Sequence, residues 1–256
     1  MARVERLPVT PRTGVGGGAL AEVAAALTGL LRLPSVLRLG GCESVRHVSR
    51  GASGRAPVLL LHGYAGTDTV WAPLRRGLAE AGFDHLVSLR YNAFASDLPE
   101  LADALLGHAK AAMKATGADG VHLVGHSLGG LVARYAVQRL GLSLHARTVV
   151  TIATPHRGAS LARLGPGASA RRMRPGPPLL ADLREAGHAG AARWVSYYSD
   201  TDRIVPAASG ALTDPQLAAT NVLVPGRGHM SIASDPVVVA SVVAQLLVAE
   251  QPALAA

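Results

Sequence analysis

Short apolar runs alternate with longer helical patterns from about residue 56 onward, and this alternation organises most of the chain. The runs are rich in Val, Leu and Ile and do not alternate between apolar and polar residues, which is typical of strands covered on both faces. Alternation of this kind predicts βαβ units and a mostly parallel sheet. The six predicted strands cover residues 57–61, 85–89, 120–124, 148–152, 194–198 and 221–224.

Helical periodicity is clearest in three segments between and after these strands. Apolar residues recur on one face over 98–113, and Asp97 with Glu100 forms a capping pair at the start of this segment. A second helix is predicted over 128–140, where a glycine follows as a natural stop. The last is predicted over 236–249, preceded by an N-cap aspartate and beginning with proline.

One connection, residues 158–193, is longer than the others and contains Gly-Pro and Pro-Gly breakers. Long connections in compact domains are usually functional lids or disordered segments. Leu179, Leu180 and Leu183 have helical spacing and predict a short amphipathic helix within it. We interpret the segment as a cap over the functional site, and an ordinary crossover helix with flexible ends is the alternative.

Length and charge narrow the class of protein. The 256 residues fit one large α/β domain. The net charge of +8 comes almost entirely from arginine, because Lys110 and Lys114 are the only lysines. The arginines are scattered apart from a cluster in 171–174, and few aromatic residues are interleaved for base stacking, so nucleic acid is not expected as a partner. The single cysteine, Cys42, excludes an intramolecular disulfide and a multi-cysteine zinc site.

The N-terminal 52 residues precede the first predicted strand and are interpreted as an extension. An Ala/Leu-rich stretch over 14–31 follows three arginines and resembles a signal peptide, but Glu22 interrupts it and Pro34 follows it. We predict an amphipathic helix that lies on the domain or on a membrane surface, with cleaved export as the alternative. A cytoplasmic or membrane-peripheral location is therefore expected, and secretion stays open.

The strongest chemical signal is a G-x-S-x-G motif, Gly125 to Gly129, which directly follows an apolar strand and directly precedes a helix. A serine on so sharp a turn has unfavourable backbone angles, and the glycines keep the space around it clear. The turn lifts the Ser127 hydroxyl out of the sheet, and the helix N-terminus favours negative charge that develops there. This context predicts that Ser127 is a nucleophile.

A serine hydroxyl is a weak nucleophile and needs a base that a carboxylate orients. In this architecture the acid and the base follow the serine in that order, each in a loop after a strand. Asp202 lies after strand 194–198, and His229 lies after strand 221–224. Asp200 is the rival to Asp202 as the acid.

The oxyanion of an acyl-transfer intermediate needs two N–H donors. One is expected from the backbone of Leu128, the residue after the nucleophile, and the other from Tyr64, after the His-Gly pair that ends the first core strand. Contacts with the acyl chain are predicted for Trp71, Phe94 and Leu161, together with Tyr64.

These motifs resemble those of the bacterial triacylglycerol lipase and esterase branch of the α/β-hydrolases. The resemblance rests on Leu-Leu-His-Gly at 60–63, Gly-His-Ser-Leu-Gly-Gly at 125–130, Thr-Pro-His-Arg-Gly at 154–158, Asp-Arg-Ile-Val at 202–205 and Gly-His at 228–229, and it extends over about three quarters of the chain. It implies an α/β-hydrolase fold: a mostly parallel sheet of about six strands flanked by helices, with a small cap insertion. The domain would then cover residues 53–256, after the extension of residues 1–52.

The same resemblance implies hydrolysis of carboxylic esters, including acylglycerols, with Ser127, Asp202 and His229 as the triad and without a cofactor or a metal. An acyltransferase or thioesterase with the same triad is the alternative, and a catalytically silent fold used for binding is a third hypothesis. The expected partners are small-molecule or lipid esters. Contact with a membrane or lipid interface and the oligomeric state stay open.

Overall fold

The computed structural model describes residues 3–8, 41–48, 53–186 and 190–251, and in these residues eight strands form one sheet. The strands are β1 (Arg3–Arg6), β2 (Cys42–Val48), β3 (Val58–Leu61), β4 (His85–Tyr91), β5 (Val121–His126), β6 (Ala146–Ile152), β7 (Arg193–Tyr198) and β8 (Thr220–Leu223). Their order across the sheet is β1-β8-β7-β6-β5-β3-β4-β2. Every neighbouring pair is parallel except β2 and β4, which are antiparallel. The carboxyl ends of the parallel strands therefore share one edge.

Six of these strands are the predicted ones, and two come from the segment that the sequence pattern assigns to an extension. The prediction of about six strands is thus corrected to eight. The four residues of β1 are mostly exposed, and in β2, at the far edge, pairs of polar residues separate single apolar ones, so neither strand has the continuous apolar run of a central strand. The predicted amphipathic helix within residues 14–31 lies outside the described residues and stays a prediction.

Helices cover both faces of the sheet and bury two apolar clusters. They are α1 (Ala72–Glu80), α2 (Leu98–Thr116), α3 (Leu128–Arg139), α4 (Gly167–Arg172), α5 (Pro178–Glu185), α6 (Ala207–Gly210) and α7 (Pro236–Ala249). On one face α2, α3 and α5 pack against the sheet, and on the other α1 and α7 do. Among the described residues no helix has both the length and the apolar character needed to cross a membrane.

The predicted helix starts agree with the caps observed. Asp97 accepts from the Leu98 N–H while Glu100 accepts from the Asp97 N–H, which completes a capping box at the start of α2. Asp235 caps α7 in the same manner by accepting two backbone N–H groups. Local sequence therefore fixes where both helices begin.

The long connection divides into two parts with different surroundings. Its first part, residues 159–173, is a closed loop whose ends meet through a 2.8 Å hydrogen bond from the Ala159 N–H to the Met173 carbonyl. Its second part contains α5, whose leucines belong to the main core. The buried side chains of Arg134 and Gln138 both donate to the Leu183 carbonyl at 3.0 Å. The segment thus consists of a closed loop followed by a helix that packs on the core, and the cap interpretation stays a prediction.

The end of α7 is held by a buried carboxylate, which gives a pH-dependent prediction. Burial by itself would raise the pKa of Glu250, but hydrogen bonds from His122 and the Ala56 N–H, with the nearby charge of Arg147, lower it from 4.5 to about 2. Such a group stabilises the fold above its ordinary pKa, and this contribution is lost as the pH falls from 4.5 towards 2.

We expect Glu250→Gln to lower the free energy of unfolding by about 2 kcal/mol at pH 7, since a charged acceptor is replaced by a neutral one. The difference in Tm between wild type and variant, measured by calorimetry, should narrow steadily below pH 4.5. Glu80→Gln, at an exposed position, serves as the control and should change Tm little at any pH. A difference in Tm that widens as the pH falls would contradict the lowered pKa of Glu250.

Candidate active site

Ser127 occupies a strained turn between β5 and α3. Its φ of 52° and ψ of −118° lie in a region that side chains other than glycine rarely adopt. The turn is held by a 2.8 Å hydrogen bond from the Ser127 N–H to the Ile152 carbonyl on the neighbouring strand. The strain agrees with the turn geometry that the G-x-S-x-G motif predicts.

Close packing explains the glycines on both sides of this serine. A Cβ atom on Gly125 would lie 2.4 Å from the backbone nitrogen of Gly130. A Cβ atom on Gly129 would lie 2.3 Å from the Leu61 carbonyl oxygen. Both distances are far shorter than a van der Waals contact, so any side chain at either position would force the turn apart.

Asp202 and His229 lie together in the loops that follow β7 and β8. Nδ1 of His229 is 2.8 Å from Oδ2 of Asp202, and both side chains are almost fully buried. The other carboxylate oxygen of Asp202 accepts from the N–H groups of Ile204 and Val205, at 2.8 Å each. Hydrogen bonds to both of its oxygens therefore hold the Asp202 carboxylate in place. The carboxylate in turn orients the His229 imidazole with Nδ1 protonated.

Asp200 has a different partner from Asp202. Its carboxylate accepts from the Gly226 N–H at 2.8 Å. Two more hydrogen bonds join the same two loops: the Arg227 N–H donates to Ser199 Oγ, and Thr201 Oγ1 donates to the Arg227 carbonyl. Asp200 thus helps to hold the two loops together, and Asp202 is the carboxylate in contact with the imidazole.

Ser127 and His229 line the same cavity, whose volume is about 340 Å³. The remaining walls are mostly apolar and come from the closed loop of residues 159–173 and from the loops that follow β3, β6, β7 and β8. Leu161 and Leu164 belong to this wall and are 38% and 82% exposed, so this part of the wall lies at the protein surface. A ligand that enters here meets a hydroxyl and an imidazole at the base of an apolar pocket.

Of the two residues predicted as oxyanion donors, Leu128 directly follows the serine and Tyr64 lines the same cavity. Leu128 begins α3, so its N–H has no acceptor within the helix. Tyr64 lines the cavity, and its hydroxyl donates to the Pro166 carbonyl across the pocket. Nδ1 of His62 is 2.8 Å from the Gly63 carbonyl and holds the loop before Tyr64; burial lowers the pKa of His62 to about 4, so its ring is neutral.

The predicted substrate contacts fare differently. Leu161 lines the cavity. The expectation for Trp71 is corrected, because its side chain is fully buried in the core cluster that contains Leu74 and Leu78, where α1 packs on the sheet. Phe94 is not among the wall residues described; its ring packs edge-on against the Tyr64 ring with the centroids 4.6 Å apart, and its contact with substrate stays a prediction.

Several wall residues are absent from the predicted set, although their positions contain a signal. Ile204 and Val205 follow the acid, and Met230 follows the base. Each of these apolar residues lies within three residues of a predicted catalytic side chain in the same loop, and this is the signal that the sequence offers. His126, the residue before the nucleophile, also lines the cavity and was not assigned a role.

A second serine and histidine pair lies elsewhere. Nε2 of His156 is 3.1 Å from Thr151 Oγ1 and 3.4 Å from Ser196 Oγ, and burial lowers the pKa of His156 well below its ordinary value. Ser196 donates onward to the Gly210 carbonyl. None of these three side chains is among the residues that line the cavity, and all are buried, so this network joins β6, β7 and the following loop and offers no accessible nucleophile.

Comparison with known proteins gives a consistent picture. Residues 56–174 match the family model described as alpha/beta hydrolase fold. Triacylglycerol lipases from Pseudarthrobacter phenanthrenivorans and Burkholderia plantarii are each 39% identical to this chain over 118 residues. The match covers 43% of this chain and 36% and 32% of those lipases, so it spans about a third of the length of each relative.

Solved structures are similar over most of the chain. The mature form of a lipase from Bacillus licheniformis superposes with a TM-score of 0.67 at 16% identity, covering 80% of this chain and 98% of that one. Est1E from Butyrivibrio proteoclasticus, solved with ferulic acid bound, gives 0.63 at 14% identity, with 82% and 95% covered. The predicted fold class is therefore confirmed.

Proposed function

We propose that this chain is a serine hydrolase of the α/β-hydrolase superfamily and that it cleaves carboxylic esters through an acyl-enzyme on Ser127. One observation carries the proposal: the pair formed by Asp202 and His229 opens onto the same apolar cavity as Ser127. A nucleophile, a base and an orienting acid in this relation are the requirements for acyl transfer.

The proposed reaction has two steps. His229 Nε2 removes the Ser127 proton as Oγ bonds to the ester carbonyl carbon, and Asp202 stabilises the imidazolium that forms. The N–H groups of Tyr64 and Leu128 bind the oxyanion. When the C–O bond to the alcohol breaks, His229 returns the proton to the departing oxygen. Water then attacks the acyl-enzyme with the same base, releasing the acid and restoring Ser127.

The apolar walls favour esters whose acyl group is a hydrocarbon chain, and the lipase relatives support the same substrate class. An acyltransferase or thioesterase with the same residues is not favoured, because the matched relatives are named as lipases. Comparing the products formed with and without a competing alcohol or thiol distinguishes transfer from hydrolysis.

The test uses esters of p-nitrophenol from acetate to palmitate together with a fluorophosphonate probe. We expect release of p-nitrophenol, and we expect the probe to lose fluoride and form one phosphonyl adduct, which peptide mapping by mass spectrometry should locate on Ser127. The acyl-chain length at which kcat/KM is highest would distinguish the two classes of enzyme: an optimum at short chains indicates an esterase, and one at long chains indicates a lipase. Absence of ester turnover together with absence of labelling would overturn the proposal.

The rim of the cavity supports a further part of the proposal: contact with an anionic lipid surface. Residues 157–181 contain five arginines and no acidic residue. Arg163 and Arg171 are exposed in this segment, and Arg163 directly precedes Leu164, whose side chain is also exposed. Apolar side chains at a pocket mouth that insert among lipids, with arginines around them, suit a surface of anionic head groups.

We expect the protein to bind phosphatidylglycerol vesicles more tightly than phosphatidylcholine vesicles in a sedimentation assay, and added salt should weaken this binding. A double variant in which Arg163 and Arg171 are both replaced by glutamine should bind these vesicles more weakly, by about fivefold for each arginine. Its turnover of a soluble ester should stay unchanged.

Leu164→Asp should also reduce vesicle binding, whereas Leu144→Asp is the matched control, because Leu144 is as exposed but lies outside the cavity wall. Equal losses in the two aspartate variants, or binding that does not depend on lipid charge, would contradict this contact.

A further inference from the structure

His126 is a buried polar side chain at the cavity that the proposed reaction leaves without a task. It directly precedes Ser127, is 2% exposed and lines the cavity. A buried imidazole is costly unless its polar atoms have partners. Its surroundings therefore indicate what it does.

One side of the ring contacts the loop that contains the base. Nε2 of His126 is 2.9 Å from the backbone carbonyl oxygen of His229, and the two rings are 4.9 Å apart. A carbonyl can only accept, so Nε2 carries the proton and Nδ1 does not. Burial, followed by the nearby charge of His229, lowers the pKa of His126 to about 3. The ring is thus neutral, and it adds no positive charge beside the imidazolium that forms during attack.

The other side of the ring contacts the loop that leads to the oxyanion donor. A Cβ atom on Gly63 would lie 2.9 Å from Nδ1 of His126 and 3.2 Å from Cβ of Ser127. The imidazole therefore fills the space between three segments: the nucleophile turn, the loop that precedes Tyr64 and the loop that contains His229.

We infer that His126 is a positioning residue that holds the backbone of His229 at a fixed distance from Ser127. The hydrogen bond to Asp202 orients the imidazole of His229 but does not fix the backbone to which it is attached. The hydrogen bond from His126 supplies this second constraint, and it starts from the residue next to the nucleophile. This inference rests on the proposed function.

The test compares three substitutions of His126. His126→Phe keeps a flat ring but removes the donor, so we expect kcat to fall about 100-fold with little change in KM, as a small misplacement of a catalytic group does. His126→Gln places an amide N–H near the position of Nε2 and should recover at least about a tenth of wild-type kcat. His126→Asn is too short to reach the His229 carbonyl and should resemble the phenylalanine variant.

His122→Phe is the matched control. His122 lies on the same strand, is also buried and donates to Glu250, away from the cavity. It should lower Tm and leave kcat unchanged.

The rate of phosphonylation of Ser127 by the fluorophosphonate gives a second readout that needs no ester, so a chain that labels but cleaves no tested ester still tests this inference. If His126→Phe and the wild type have equal kcat and equal labelling rates, the inference is overturned. If the phenylalanine variant does not fold, equal rates for the glutamine and asparagine variants would overturn it. A loss confined to KM would do the same.

Discussion

Replacing Ser127 with alanine is expected to lower kcat about 10⁶-fold, because the variant has no oxygen to form the acyl-enzyme and the rest of the triad then has nothing to activate. The fold should persist, since the hydroxyl is small and the turn is held by the backbone hydrogen bond to Ile152. Residual turnover above the reaction in water would come from the oxyanion donors and from binding. Steady-state hydrolysis of a p-nitrophenyl ester, with circular dichroism for folding, measures both effects.

Ser160→Ala is the control for this experiment. Ser160 is exposed on the closed loop of residues 159–173 and is not in the cavity wall described. The kcat of the Ser160→Ala variant should therefore equal that of wild type. Near wild-type turnover in Ser127→Ala would assign the nucleophile to another residue and end the proposed mechanism.

The second large effect is expected at the acid. Asp202→Asn should lower kcat about 10⁴-fold, because an amide at this position favours the wrong tautomer of His229 and cannot stabilise the imidazolium. The structure predicts little loss of folding, since the amide oxygen can still accept from the N–H groups of Ile204 and Val205. The kcat/KM of this variant, measured against pH on the same soluble ester, should rise only at higher pH.

Asp200→Asn gives the matched comparison two residues away. Its oxygen can continue to accept from the Gly226 N–H, so the loss of kcat should stay below about tenfold. Should Asp200→Asn instead be the inactive variant of the two, the contact between Asp202 and His229 would not be the one used in catalysis.

Sequence reasoning succeeds here where the physical constraint is local. The strand, sharp turn and helix around Ser127 require glycines at fixed offsets, and the starts of α2 and α7 require capping side chains. Each of these features can therefore be predicted from a few neighbouring residues. The loops after β7 and β8 follow from the order of the strands, because carboxyl ends of parallel strands meet at one edge. The acid and base were therefore expected in those loops.

It fails where the deciding contact is distant in the chain. β1 and β2 are edge strands, and partners far along the chain make them strands; their own residues give little periodicity. Trp71 resembles a pocket residue in the sequence, yet its burial depends on how α1 meets the sheet. Local pattern also cannot divide the segment of residues 158–193, because only the folded molecule shows which part rests on the core.

The hydrogen bond that closes residues 159–173 at their base joins the two ends of this segment, so a change of length between them need not separate those ends. With both ends joined, longer or shorter versions would change the depth of the pocket without pulling on β6 or α5, and each doubling in length would cost only about 0.6 kcal/mol in chain entropy. Exchanging the segment between relatives is therefore expected to change the chain-length preference.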